Sequence, residues 1–194
     1  MNKNLVISLL WFSCFAFSQG ATQTPESLAS VASPAANKVP IIVGGLLETG
    51  SGLMADGTDG IGLVRITPIV GVWLNGLGYF RLGYGLYNYS QEPDDGEKIS
   101  VKHRDFSAQL GLSLGLGPYL QASYTRAKNL SDLGDVAWNE YALGLGTLFQ
   151  IGAKSSFVTE VEYRWVSSHY NPFAQETVSG SRLQINLGFV VYVY

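Results

Sequence analysis

The sequence contains a single cysteine, Cys14, so a disulfide framework and a cysteine-based metal cluster are both excluded. Charged residues make up only 14% of the 194 residues, and no run of Lys or Arg forms a face that would follow a phosphate backbone. Beyond the first 20 residues, no apolar stretch approaches the roughly 18 to 20 residues of a helical membrane span. These absences exclude a nucleic-acid-binding protein and leave no candidate for a spanning helix in the rest of the chain.

The sequence is instead rich in small and aromatic residues, with 23 Gly, 11 Tyr, 9 Phe and 4 Trp. Hydrophobic residues account for 46% of the chain, which excludes a disordered acidic chain. The length suits one folded domain with room for a small targeting segment.

The first 18 residues have the features of a secretory signal peptide. Lys3 precedes an apolar run from Leu5 to Phe17, and Ala16 and Ser18 are small residues at the positions that signal peptidase reads. We therefore expect Sec-dependent export, with cleavage after Ser18 or, as the alternative, after Gly20. Residues 19–38 are rich in Ala, Ser, Thr and Pro and have no apolar period, which predicts a flexible periplasmic linker. Residues 39–194 form the expected folded domain.

From residue 39 onward, apolar residues alternate with small or polar ones, which is the spacing of β-strands. In the last segment the apolar positions are Leu183, Ile185, Leu187, Phe189, Val191 and Val193. The same pattern recurs at 39–47, 63–74, 80–86, 106–114, 119–126, 140–150 and 157–166, so the sequence predicts eight strands. Pro68 interrupts the second strand and predicts a bulge or kink there.

The connections between these strands alternate in length. Tight turns are predicted at Asn75-Gly76, 115–118 and 152–155, because Asn-Gly is a preferred two-residue hairpin turn. Long polar connections are predicted at 49–60, 88–98, 128–135 and 167–181. In an up-and-down meander this alternation places all short turns and both termini at one end. The pattern predicts an all-β fold, an eight-stranded antiparallel up-and-down transmembrane β-barrel with short periplasmic turns and long extracellular loops.

Charged residues in the strands lie on the face opposite the large aliphatic residues. They are Arg65, Arg81, Glu140, Glu160, Glu162, Arg164 and Arg182. In a membrane barrel this face points inward, and an eight-stranded barrel is just wide enough for its own side chains. We therefore expect an ion-pair network that plugs the lumen. The alternative is a soluble barrel whose charged face is solvated.

Aromatic residues near the strand ends predict two girdles at the membrane interfaces. Tyr119, Phe149 and Phe157 are assigned to the short-turn end, and Trp138 and Trp165 to the long-loop end.

The long loops are predicted to be acidic and exposed, and recognition is expected there. The acidic residues assigned to them are Glu48, Asp56, Asp59, Glu92, Asp94, Asp95, Glu97, Asp132, Asp135 and Glu176. No complete set of metal ligands is found, and we expect neither a metal site nor a cofactor.

Residues 139–163, NEYALGLGTLFQIGAKSSFVTEVEY, resemble the penultimate hairpin of the small OmpA/OmpX-like outer-membrane barrels. The shared features are a Tyr- and Gly-rich strand, a short periplasmic turn and a strand ending in Glu-Tyr. The chain also ends on an aromatic, Tyr194, where that family usually ends on Phe. Val190 and Tyr192 are in step with Tyr194 but Gly188 and Asn186 are not, and a bulge near Val190 would reconcile the two registers.

The resemblance implies a location in the outer membrane of a Gram-negative-type bacterium, in contact with outer-membrane lipid and lipopolysaccharide. It also implies that barrel-assembly machinery reads the C-terminal strand ending at Tyr194. We expect a monomer without a nucleic-acid partner.

Three functions are compatible with such a barrel. The first is a non-enzymatic protein that stabilises the outer membrane or makes surface contacts and adhesion through its acidic loops. The second is a lipid A deacylase-like hydrolase that uses His169 with Ser167 or Ser168, although these residues lack the His-x-Ser spacing of the known deacylases. His103, near Asp105, is the other histidine at the long-loop end. The third is a narrow channel.

Overall fold

The computed structural model describes residues 39–52, 64–74, 76–91, 99–114, 117–131, 134–171 and 175–193. Its eight strands are β1 (Ile41–Gly52), β2 (Val64–Trp73), β3 (Gly78–Gln91), β4 (Ile99–Ser113), β5 (Pro118–Leu130), β6 (Val136–Gly152), β7 (Ser155–Asn171) and β8 (Glu176–Val193). Within these ranges no helix is long and apolar enough to cross a membrane. The predicted signal peptide and linker lie outside the described residues.

The strands form a closed barrel in which each strand pairs with its neighbours in sequence. All pairings are antiparallel, and β8 returns to pair with β1. Ile41 lies opposite Val193, so the first and last described strands begin and end at the same end of the barrel. The predicted eight-stranded up-and-down barrel is therefore confirmed.

The strand register sets the width of the barrel. The pairing from Ile41, followed once around through all eight strands, returns to Ser51, which is ten residues further along β1. Strands with this stagger are tilted by roughly 40° and enclose an interior that side chains fill. The position of each side chain, inside or outside, then follows from alternation along its strand.

The short turns lie where the sequence predicts them. In the first, Leu77 N–H donates to the Leu74 carbonyl oxygen at 2.9 Å. Gly76 adopts a φ of 81°, which glycine tolerates without steric cost. Asn75 itself lies outside the described residues. The other two tight connections fall at 114–117 and 153–154.

The last long connection is shorter than the sequence predicts. A loop is expected at 167–181, but β7 continues to Asn171 and β8 begins at Glu176. Pairs such as Tyr170↔Thr177 extend the ladder beyond a bulge between Val166 and His169. Polar side chains at the long-loop end do not prevent backbone pairing. The paired strands therefore extend beyond the apolar alternation from which their ends are predicted.

Pro68 has a different effect from the predicted bulge or kink. It pairs in register with Gly45 of β1, and that ladder is uninterrupted. On its other side, however, the ladder between β2 and β3 runs only from Trp73↔Tyr79 to Ile69↔Gly83. Proline has no N–H to donate, and the ladder stops at the residue next to it.

The bulge predicted near Val190 is wrong. The β7–β8 ladder is regular from Ser155↔Val191 onward, and its irregularity lies at Val166/His169 instead. Val190 and Tyr192 point inward, where they join an apolar cluster at the short-turn end. The cluster consists of Ile42, Leu46, Ile69, Tyr79, Tyr119, Val158, Val190 and Tyr192. This cluster gives the inward apolar residues of the last strand a place to pack.

The two faces of the wall differ sharply. Outward positions carry exposed aliphatic side chains, including Leu110, Leu143 and Leu187 at 44%, 58% and 37% exposure. Inward positions carry charges, with Arg81 at 4% and Glu160 at 1%. The barrel is therefore apolar outside and charged inside.

Candidate functional site

The interior of the barrel holds a polar network to which every strand contributes. Its buried charged side chains are Glu48, Arg65, Arg81, Asp105, Glu140, Glu160, Glu162, Arg164 and Arg182. The structure thus brings together all seven charged residues singled out in the sequence, with two further carboxylates. Four guanidinium groups face five carboxylates in a space that excludes most water, so each charge depends on its partners for stabilisation.

Arg81 and Glu160 form the ion pair nearest the apolar cluster. Arg81 Nη2 donates to Glu160 Oε1 and Oε2 at 2.7 and 2.6 Å. The hydroxyl of Tyr119 donates to the same carboxylate at 2.6 Å, and Asn186 Nδ2 donates at 3.1 Å. Glu160 therefore collects donors from β3, β5 and β8.

A second set of ion pairs lies nearer the long-loop end. Arg164 Nη2 donates to Glu162 Oε2 at 2.7 Å, and its Nη1 donates to Glu140 Oε2 at 3.0 Å. Arg182 Nη2 reaches the same Glu140 oxygen at 2.9 Å. Glu140 also accepts from Trp138 Nε1 at 2.8 Å. Glu140 is thus shared by two guanidinium groups.

Arg65 makes a third set, across the region where β2 and β3 do not pair. Its Nη1 donates to Asp105 Oδ2 on β4 at 2.7 Å, and its Nε donates to Glu48 Oε2 on β1 at 3.0 Å. The assignment of Glu48 to an exposed acidic loop is therefore wrong. Glu48 follows Ile42 and Leu46 on the inward face of β1, and this alternation was the signal that could have placed it.

Neutral amides join these ion pairs into one network. Gln184 Nε2 donates to Glu48 Oε2 at 2.9 Å and to Asn186 Oδ1 at 2.8 Å. Gln121 Nε2 donates to Glu162 Oε1 at 2.9 Å, while its Oε1 accepts from the Tyr79 hydroxyl at 2.9 Å. Through Gln184 and Asn186, hydrogen bonds connect Glu48 to Glu160.

Tyr119 is predicted at the membrane interface, and this assignment is wrong. The residue is only 2% exposed and points inward, where its ring packs edge-on against Tyr79 at 5.1 Å between centroids. Each ring covers a glycine on the neighbouring strand, Gly146 for Tyr119 and Gly111 for Tyr79, where a Cβ would overlap the ring. Tyr119 shares its face with Gln121, so alternation rather than distance from the strand end decides its direction.

Trp138 is also predicted at the interface and also points inward, at 4% exposure. Its ring stacks on His169 with centroids 4.7 Å apart and lies 5.6 Å from the His103 ring. His103 in turn stacks on Tyr87 at 4.4 Å. These four rings form a layer above the ion pairs at the long-loop end.

The other three aromatic residues assigned to the girdles lie differently. Phe157 and Trp165 are exposed outward, at 38% and 42%. Phe149 is half-buried and lies opposite Phe157 across the β6–β7 ladder.

The alternative catalytic residues do not form a nucleophile–base pair. His169 Nδ1 lies 3.0 Å from the backbone oxygen of Ser167, and the Ser167 hydroxyl accepts from the backbone N–H of Asn139 at 2.9 Å. His103 Nδ1 lies 2.7 Å from Asn129 Oδ1, and its Nε2 lies 3.3 Å from Asp105 Oδ2. Neither ring contacts a serine hydroxyl in the part of the chain that the structure describes. Among those residues, no group of three or more His, Asp or Glu is placed to hold a metal ion.

Comparison with known proteins gives the fold. No family model matches the sequence, and no curated protein matches it. A major outer membrane protein from Thermus thermophilus is similar in structure, with a TM-score of 0.50 and 10% identity over 81% of this chain and 100% of that chain. Neisserial surface protein A, NspA, gives a TM-score of 0.49 and 13% identity over 81% of this chain and 99% of that chain. The closed ring of eight strands and the similarity to the Thermus protein show that the chain has the fold of a small outer-membrane β-barrel.

Proposed function

We propose that the protein is an integral outer-membrane barrel without enzymatic activity. We further propose that it stabilises the outer membrane and makes surface contacts through its long loops. One observation carries the proposal: the barrel wall is apolar on the outside and its charges are paired on the inside. A soluble barrel would need the opposite arrangement, because exposed aliphatic side chains such as Leu143 gain nothing from water.

The three layers of the interior support a plugged lumen. The apolar cluster lies at the short-turn end, the ion-pair network lies above it, and the rings of Tyr87, His103, Trp138 and His169 lie at the long-loop end. Ions crossing such an interior would have to separate buried ion pairs, which costs several kcal/mol for each pair. We therefore propose that the barrel does not act as a channel.

The distances around the histidines support a structural role for them. A hydrolase needs a hydroxyl within hydrogen-bond reach of a base, and His169 Nδ1 is instead next to a backbone oxygen. The stacking of His169 on Trp138 gives the ring a packing role.

We propose that exposed side chains of the long loops make the contacts with partners. Of the acidic residues assigned to the loops, Asp135 and Glu176 lie within the described residues and are exposed, which suits surface recognition. Tyr194 lies outside the described residues, and we propose that barrel-assembly machinery recognises the strand β8 that leads to it. We propose a monomer because the ring of strands leaves no free edge.

Two measurements test the proposal. The protein, refolded into phosphatidylcholine vesicles, should run at a different gel position in SDS when unboiled, because a closed barrel resists the detergent. In planar bilayers the same preparation should give no steady conductance. Failure to insert into vesicles would refute the membrane barrel, whereas insertion with steady large conductance would refute the plugged lumen.

A further inference from the structure

Four basic side chains lie on the outer wall of the barrel, at outward positions of two neighbouring strands. Lys102 and Arg104 belong to β4, and Arg126 and Lys128 to β5. All four are exposed, while the residues between them on each strand point inward and are buried. Among the described residues, these four are the only charged side chains at outward strand positions. We refer to them as the basic patch.

Strand pairing brings the basic patch together, although the sequence has no run of basic residues. Arg104 lies directly opposite Lys128, and Arg126 lies opposite Phe106, one outward position below Arg104. Opposed side chains have Cβ atoms about 5 Å apart, and successive outward positions on a strand are roughly 7 Å apart. The four cationic groups therefore share one small area of the wall.

The position of the basic patch along the barrel matches the level of lipid headgroups. Phe106 and Tyr124 occupy the next outward positions toward the short-turn end, at 47% and 39% exposure. Tyr124 pairs with Tyr141, and Tyr141 pairs with Trp165, so exposed aromatic rings continue around the wall at this level. Such rings mark the boundary between hydrocarbon and headgroups. Arg126 lies at this boundary, opposite Phe106, and the other three cations lie beyond it toward the long-loop end.

The partners of these cations leave most of their charge unmatched. Lys128 Nζ forms an ion pair with Asp135 at 2.7 Å, with both side chains about half exposed, and such pairs are weak. Arg126 Nη1 donates to Asn139 Oδ1 at 2.7 Å, and the Tyr124 hydroxyl donates to the same oxygen at 2.9 Å. Asn139 is neutral, so it orients the guanidinium without cancelling its charge.

A cleft of about 280 Å³ adjoins the basic patch and is lined by Leu86, Tyr87, Lys102, His103 and Arg104. Leu86 is 57% exposed and apolar, whereas Lys102 and Arg104 are charged. Leu86 lies directly opposite Arg104 on the neighbouring strand, so the cleft places an apolar side chain beside cations. An amphipathic ligand with an anionic head has the complementary arrangement.

We propose that the basic patch binds a phosphorylated glycolipid headgroup of the outer leaflet. The inference rests on the proposed membrane location of the barrel. Arg offers planar donors that match phosphate oxygens, and Lys adds compact charge. Several cations in one area favour a headgroup that carries more than one phosphate. The site would anchor the β4–β5 side of the barrel to that lipid.

The test titrates lipid A that carries two phosphates into the detergent-solubilised, folded barrel and measures bound lipid by native mass spectrometry. Each basic residue near a membrane surface is worth about fivefold in binding. R104Q or R126Q should therefore weaken binding about fivefold, and the triple variant K102Q/R104Q/R126Q roughly a hundredfold. K154Q is the matched control, since Lys154 is an exposed cation in the turn at the opposite end, and it should bind as the wild type does.

Two further probes define the ligand. Phosphatidylglycerol, with one phosphate, should bind more weakly than lipid A, and inorganic phosphate at millimolar concentration should not displace lipid A. Equal binding by the wild type and the triple variant would overturn the proposal, as would equal affinity for the two lipids or displacement by inorganic phosphate. The gel shift of each variant distinguishes failure of the lipid site from failure of the barrel. A triple variant that folds but keeps its lipid binding refutes the basic patch alone. A wild type that does not insert into vesicles refutes the membrane barrel.

Discussion

The pair Arg81–Glu160 offers the most direct measure of how far the interior stabilises the barrel. Both side chains are buried, and Glu160 also accepts from Tyr119 and Asn186. Breaking a buried ion pair by removing one partner costs about 3–5 kcal/mol of unfolding free energy. R81M leaves Glu160 with its remaining donors, so we expect a loss near the lower value, about 3 kcal/mol. E160L leaves a guanidinium and two neutral donors without their acceptor, so we expect about 5 kcal/mol or more.

The double variant R81M/E160L separates the ion pair from the other contacts. It removes both charges and leaves only the neutral donors unsatisfied, so the expected loss is about 2–3 kcal/mol, far below the sum of the single losses. The assay is urea unfolding of the refolded protein in phosphatidylcholine vesicles, followed by the SDS gel shift and tryptophan fluorescence.

The control cycle uses the exposed pair Lys128–Asp135, with K128M and D135L, where the coupling should not exceed about 1 kcal/mol. Additive single losses for Arg81 and Glu160, or a coupling as small as that of the control pair, would refute the argument that the interior charges are desolvated and mutually dependent.

Three further predictions use the same assay. Y119F should cost about 1.5–3 kcal/mol because it removes a hydrogen bond to a carboxylate; a loss below about 0.5 kcal/mol would contradict the role assigned to the hydroxyl. G146A should cost about 1–3 kcal/mol by pushing the Tyr119 ring, whereas G45A, with its nearest atom 3.9 Å away, should be nearly neutral; equal effects would show that the ring is free to shift. L145R, at a lipid-facing position that is 50% exposed, should cost about 2–4 kcal/mol in vesicles, more than L145A, and a gain in stability would favour the soluble barrel.

Alternation along each strand is sufficient to predict the barrel and which charges share a face. Arg65, Glu140 and Arg182 each lie opposite large aliphatic neighbours in their own strand, and all three are buried as that pattern predicts. The predictions for Tyr119 and Trp138 are wrong because they weigh nearness to a strand end above alternation with the polar residues of the same face. The rule that succeeds for the charges would have succeeded for these aromatics.

Other features depend on the register between strands, which the sequence of a single strand does not determine. The contact of Arg65 with Asp105 joins β2 to β4 across β3, and the basic patch needs Arg104 to lie opposite Lys128. In the sequence, β4 and β5 each carry two basic residues at alternate positions. Only the pairing of the two strands brings these four residues together on one surface. The end of the β2–β3 ladder beside Pro68 also depends on register. The sequence contains the proline but does not show which neighbouring strand loses its pairing there.

The pairing of β1 with β8 has a consequence for the order in which the barrel can fold. β1 is the first strand of the domain in sequence and β8 is the last, yet they pair from Ile41↔Val193 to Gly52↔Arg182. Contacts so distant in sequence are slow to form, because the entropy of closing the intervening chain is lost before they contribute stability. Until the final strand arrives, both of its neighbours have exposed edges that can aggregate. A newly synthesised chain therefore needs protection from aggregation until β1 and β8 have paired.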